Sequence, residues 1–127
     1  MPEAVLDASA LLALLNGEPG ADAVAAALPG ATMSAVNFSE VVAKLADAGV
    51  PALEIEQALQ GPLLEVVPFD LEQAYAAGLL RSSTRGAGLS LGDRACLSLA
   101  MMLKLPALTA DRTWKQLKAA VEVRVIR

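Results

Sequence analysis

Short aliphatic runs alternate along this sequence with stretches of helical periodicity, and no other feature restricts the fold as much. Glu3 to Leu6, Ala31 to Ser34, Leu64 to Val67, Ala107 to Thr109 and Val121 to Ile126 each read as a short apolar strand, with Leu64–Val67 expected to be buried. Helical patterns fill the gaps. Leu11, Leu12, Leu14 and Leu15 precede a stop at Gly17, and Pro19–Leu28 is rich in alanine. Val36–Ala48 follows, then a helix with Pro51 at its first position that runs to about Gln60. Asp70 caps a helix that reaches about Ser82, Leu91–Leu103 forms a strongly apolar one, and Asp111–Lys118 predicts a last short helix. Strands separated by helices require right-handed crossovers, so the expected class is α/β. The architecture is a three-layer α/β/α sandwich around a mostly parallel sheet of four or five strands. In such sheets ligands bind beyond the carboxyl ends of the strands, beside the switch point in strand order.

At 127 residues and 55% hydrophobic, the chain is expected to form a single domain over residues 1–127. Its aromatic residues are Phe38, Phe69, Tyr75 and Trp114, so the core must be aliphatic. The longest apolar stretches, Ala8–Leu15 and Ala95–Leu103, fall short of the roughly 20 residues that cross a bilayer. No membrane association is expected. The first residues carry acids where a secretory leader carries bases, which points to the cytoplasm. With Cys96 as the lone cysteine and no histidine, disulfides, thiolate metal clusters, histidine zinc sites and Ser-His-Asp or Cys-His machinery are all excluded. A hydrolase of this composition must work with carboxylates.

Residues 1–80 hold eleven acids and one base, Lys44, whereas residues 81–127 hold nine bases and three acids. The net charge of −4 argues against a general nucleic-acid binder, yet the C-terminal third offers a local basic surface.

Most acids lie in polar stretches, but Asp7, Glu40, Asp93 and Asp111 interrupt apolar ones. Asp7 ends the first strand and Asp111 follows the fourth, which puts both at the ligand-binding edge of the sheet. Each has an ordinary explanation. Asp7 and Asp111 stand where helix caps belong, Asp93 has capping-box spacing from Ser90, and Glu40 precedes Lys44 by one helical turn. Capping leaves Glu40 unexplained and does not require the four to converge. Four converging carboxylates need a counter-charge, and an all-oxygen donor set suits Mg²⁺ or Mn²⁺.

Four segments carry a family resemblance: Val5-Leu6-Asp7-Ala8-Ser9-Ala10, Asn37-Phe38-Ser39-Glu40-Val41, Leu89-Ser90-Leu91-Gly92-Asp93-Arg94-Ala95-Cys96-Leu97, and Leu108-Thr109-Ala110-Asp111-Arg112-Thr113-Trp114. In that order and spacing the chain resembles, over essentially its whole length, the PIN-domain nucleases and among them the VapC-like ribonuclease toxins of toxin-antitoxin pairs. The resemblance implies a metal-dependent endoribonuclease in which Asp7, Glu40, Asp93 and Asp111 are catalytic and hold Mg²⁺ or Mn²⁺. It implies Ser9 and Thr109 as hydrogen-bonding supports, RNA as substrate, 5′-phosphate and 3′-hydroxyl products, a homodimer, and a VapB-like antitoxin as partner. Arg94, Arg112 and Lys115 are candidate contacts to the RNA backbone. Trp114 and Cys96 are expected in the core, and Met101, Met102 and Leu103 in the core or a subunit contact.

Two rival enzyme and signalling classes fail on the residues. A receiver-like phosphoacceptor domain pairs its acids after the first strand, where Asp7 stands alone, and a haloacid-dehalogenase-type phosphatase needs a second aspartate where this chain has Ser9. A non-catalytic PIN-like module that binds RNA or protein would be expected to lack part of the acidic quartet, which here is complete.

Overall fold

A computed structural model describes residues 3–61, 64–117 and 121–127. The chain opens with strand β1 (Ala4–Leu6), helix α1 (Ala8–Leu15) and helix α2 (Ala21–Ala27), and a 3₁₀ turn, Leu28–Gly30, leads into β2 (Ala31–Ser34). Helices α3 (Ala35–Asp47) and α4 (Ala52–Gln60) precede β3 (Leu64–Val67), and α5 (Leu71–Ser83), a 3₁₀ turn at Arg85–Ala87 and α6 (Leu91–Leu103) follow it. Strand β4 (Ala107–Thr109), a 3₁₀ turn at Arg112–Gln116 and β5 (Val123–Val125) complete the order.

All five strands pair in parallel, in the order β3-β2-β1-β4-β5. The short central strand β1 is buried along its length, and its alternating side chains serve two cores. Ala4 and Leu6 pack with Leu11, Val24, Val41 and Ile55 from α1 to α4. Val5 packs on the other side with Leu80, Leu97 and Leu99 from α5 and α6, together with Trp114. This gives the expected three layers. Among the described residues no helix is long and apolar enough to cross a membrane.

Several local expectations change. β3 lies at the edge of the sheet, and Glu65 and Val66 are exposed, so the branched aliphatics that mark it as a strand do not bury it. Pro51 is the cap of α4 rather than its first residue, which suits its extended ψ of 148°. The expected helix at 111–118 is the 3₁₀ turn Arg112–Gln116, and Lys118 lies outside the described residues. β5 covers only the middle of the expected strand.

Candidate active site

Strand order departs from β1 in both directions, toward β2 and toward β4, so the crevice between the carboxyl ends of β1 and β4 is the switch point. Asp7 follows β1 there. It occupies the cap position of α1 but makes no side-chain cap bond, so its carboxylate is free for other partners. Ser9 Oγ donates to Oδ2 at 2.7 Å, and Thr109 Oγ1, at the end of β4, donates to the same oxygen at 3.0 Å. Both hydroxyls are aimed by the backbone, because Ala110 N–H donates to Ser9 Oγ at 2.9 Å and Asp111 N–H to Thr109 Oγ1 at 3.1 Å. Asp7 is only 6% exposed. Burial, reinforced by the negative charges of Asp93 and Glu40, raises its pKa to about 6 against the lowering effect of the Ser9 and Thr109 bonds.

Glu40 reaches this region from α3, whose start is fixed by Ser34 Oγ accepting from Val36 N–H at 3.2 Å. Its carboxylate does not pair with Lys44, since no such ion pair occurs among the described residues. Asn37, one turn earlier and fully buried, donates Nδ2 to Glu40 Oε1 at 2.9 Å and to the Gly92 carbonyl at 2.9 Å. One amide thus aims the carboxylate and ties α3 to the first turn of α6. Gly92 completes the seat, because a Cβ there would lie 2.5 Å from Glu40 Cδ.

Asp93 is the third residue of α6 and forms the capping box with Ser90: Ser90 N–H donates to Oδ2 at 3.0 Å and Asp93 N–H donates to Ser90 Oγ at 3.1 Å. It is half-buried, and its charge is nevertheless felt at Asp7 and at the buried Cys96 thiol, which burial first and then Asp7, Asp93 and Glu40 push up. Asp7, Glu40 and Asp93 therefore share one electrostatic neighbourhood that reaches Cys96. Asp111 differs. It is exposed and caps the last 3₁₀ turn, its Oδ1 accepting from Thr113 N–H at 2.9 Å and Thr113 Oγ1 at 2.7 Å.

The PIN-domain family model matches residues 4–120, nearly the whole chain. This chain belongs to the PIN-domain family. Ribonuclease VapC42 of Mycobacterium tuberculosis is 32% identical over 114 residues, which cover 82% of this chain and 87% of that protein. Among solved structures, DNA-bound VapBC from Salmonella typhimurium matches with a TM-score of 0.78 at 16% identity, covering 100% of both chains. A toxin-antitoxin complex from Klebsiella pneumoniae matches with a TM-score of 0.76 at 20% identity, covering 98% of each chain.

The donor set of this PIN domain fits a hard divalent cation. Among the described residues no three acidic or thiol side chains are gathered closely enough to enclose an ion unaided. Magnesium does not require that, since it keeps several waters and is held through one or two carboxylates plus substrate phosphate oxygens. Asp7 supplies a carboxylate that burial, and after it the charges of Asp93 and Glu40, disfavours as an anion, and the side-chain-free Gly92 leaves room for a second at Glu40. Beside Glu40 an open cleft of about 720 Å³ lies between Val36, Ser39, Pro68, Phe69 and Leu91.

The basic candidates of the PIN domain part company. Arg94 points back to α5 and donates Nη1 to the Ala77 carbonyl at 3.0 Å, a helix-to-helix strut. Arg112 donates Nε to the Arg127 carbonyl at 3.1 Å, and Lys115 is exposed. Trp114 is 1% exposed and belongs to the core with Leu97 and Leu99. Sequence reasoning named Asn37 only within a resemblance segment and gave neither it nor Phe69 a role in the site. An amide three residues before a helical acid is the signal in the residues themselves that singles out Asn37.

Proposed function

We propose that this chain is a metal-dependent endoribonuclease, the toxin of a VapBC-type pair. It acts in the cytoplasm as a homodimer and is held inactive by a VapB-like antitoxin. The kinship with VapC42 and the carboxylates at the switch point support this reading, and the observation that carries it is Asp7. A carboxylate that is buried, bonded by two hydroxyls and pressed by two neighbouring acids is costly without a cation.

Asp7, Glu40 and Asp93 would hold Mg²⁺ or Mn²⁺, with Asp111 as an outer member at the mouth of the crevice. When bound, the cation polarises the phosphate, favours deprotonation of the attacking water and screens the charge that develops on the leaving oxygen. Ser9 and Thr109 fix one face of Asp7 and leave its other oxygen for the ion. Asn37 orients Glu40 in the same way. The water oxygen displaces the 3′-oxygen at phosphorus in line, the 3′-oxygen takes up a proton, and the products carry 5′-phosphate and 3′-hydroxyl ends. Phe69, Pro68 and Leu91 supply an apolar wall along which the RNA strand lies.

Structured RNAs incubated with the purified protein, with Mg²⁺, with Mn²⁺ or with EDTA, and beside an Asp7→Asn variant, test the proposal. Cleavage should require metal and vanish in the variant. Cutting in excess EDTA, or equal cutting by the variant, would reject the mechanism. RNA retention without cutting under any metal would instead favour a non-catalytic binding module.

A further inference from the structure

Helix α5 ends beside a pocket with two arginines in its wall. Arg81 lies in the last turn of the helix and Arg85 opens the 3₁₀ turn that follows, and both line a pocket of about 170 Å³ with Thr84, Gly88 and Leu89. No acid is among the described residues of that wall. Both arginines are exposed, and neither has an ion-pair partner among the described residues. Nor are they needed to close the helix end. The Leu80 carbonyl accepts from Thr84 Oγ1 at 2.6 Å, from Thr84 N–H at 3.0 Å and from Ser83 Oγ at 3.2 Å. Two like charges on one cavity repel each other, and an anion between them removes that cost.

We propose that Arg81 and Arg85 hold a backbone phosphate of the RNA strand, at a nucleotide outside the bond that is cut. The pocket adjoins the cleft beside Glu40: Leu89 lines the first, and its neighbours Ser90 and Leu91 line the second. A strand lying against Phe69 and Leu91 therefore reaches the arginines as it leaves the cleft past Ser90. Its affinity must be drawn from outside the crevice, because Asp7, Glu40 and Asp93 repel a polyanion and one divalent cation offsets only part of their charge. Arg94 and Arg112 are already bonded within the fold, to the Ala77 and Arg127 carbonyls. A guanidinium meets a phosphate with two parallel N–H donors, so a pair of arginines on one small cavity suits a phosphodiester group. Adjacency to the cleft favours a phosphate of the substrate over an acidic segment of a protein. Such a contact fixes the register of the strand without reading its sequence.

The inference rests on the ribonuclease reading, so RNA binding is measured apart from cutting. Fluorescence anisotropy with single-stranded RNA oligonucleotides and Mg²⁺ uses the Asp7→Asn chain, which should leave them intact. Adding Arg81→Gln and Arg85→Gln, at exposed positions that glutamine fills without harm to a helix, should leave the circular-dichroism melt unchanged. Binding should weaken about tenfold, and equally for every sequence. The slope of log K against log salt should fall by about 0.7, the share of one phosphate on a single strand. Lengthening the oligonucleotide should raise affinity in a step that the arginine substitutions abolish. With Asp7 restored, the two arginine substitutions should raise KM for RNA cleavage and leave kcat unchanged. Undiminished RNA affinity with an unchanged salt slope would overturn the arginine pocket and leave the ribonuclease reading standing. Poly-glutamate bound as tightly as RNA, and released by the same substitutions, would assign the arginines to an acidic protein segment instead. Inorganic phosphate bound at the arginines, with RNA affinity unmoved by their loss, would assign them to a free anion. A chain that neither binds nor cuts RNA would overturn both readings.

Discussion

Glu40 lies against the bare Cα of Gly92, so the position of a carboxylate on α3 depends on a missing side chain on α6. Gly92→Ala should therefore act at a distance. The Glu40 carboxylate is the end of a flexible side chain and swings away from the added methyl. Fold stability should hold, helped by the up to about 1 kcal/mol by which alanine exceeds glycine in a helix. Cleavage of RNA should fall on the order of 100-fold, the usual effect of displacing a reacting group by about 1 Å. Unchanged cleavage, read on folded protein, would show that Glu40 does not need this seat.

Asp7 makes the metal-free protein sensitive to pH. Its native pKa is raised from 3.8 to about 6, so between those values the folded state binds more protons than the unfolded one. The stabilising contribution is complete below about pH 4 and is lost as pH rises through 6, a change on the order of 2–3 kcal/mol. Thermal melts in EDTA should show Asp7→Asn matching the wild type near pH 4 and exceeding it near pH 8. An equal difference at both pH values would rule out titration of Asp7 as the cause. Added Mg²⁺ should raise the wild-type melting temperature at pH 8 and leave the variant unmoved.

Asn37→Ala should cost both stability and activity. It removes a buried hydrogen bond to the Gly92 carbonyl, a loss of about 0.5–1.5 kcal/mol, and releases Glu40 Oε1. Urea denaturation reads the first effect and RNA cleavage the second. Full cleavage at a temperature where the variant is folded would remove Asn37 from the site.

Asp111→Asn offers a contrast with Asp7→Asn. Asparagine caps a helix turn about as well as aspartate, so the bonds from Thr113 survive the change. Cleavage should fall by much less than in Asp7→Asn, as suits an exposed outer carboxylate. Equal loss in the two variants would place Asp111 at the centre of the site.

The order of strands and helices was legible because period-two and period-3.6 patterns are local properties. Their arrangement was not equally so. Val66 and Val67 mark β3 as a strand, but only the tertiary order of the sheet decides that it lies at an edge. The same division holds in the site. Asp7 could be read as an acid ending a strand at the switch point, whereas the part played by Asn37 depends on a carbonyl 55 residues away. Arg94 shows the converse, since its place next to Asp93 suggested RNA while its long side chain found the Ala77 carbonyl.

The bond from Thr109 to Asp7 joins residues 102 apart, so β4, which carries Thr109, is made long after the carboxylate it supports. A polypeptide still being translated thus lacks this support for Asp7 until β4 has left the ribosome. A chain broken off before Thr109 therefore carries Asp7 with the Ser9 bond alone.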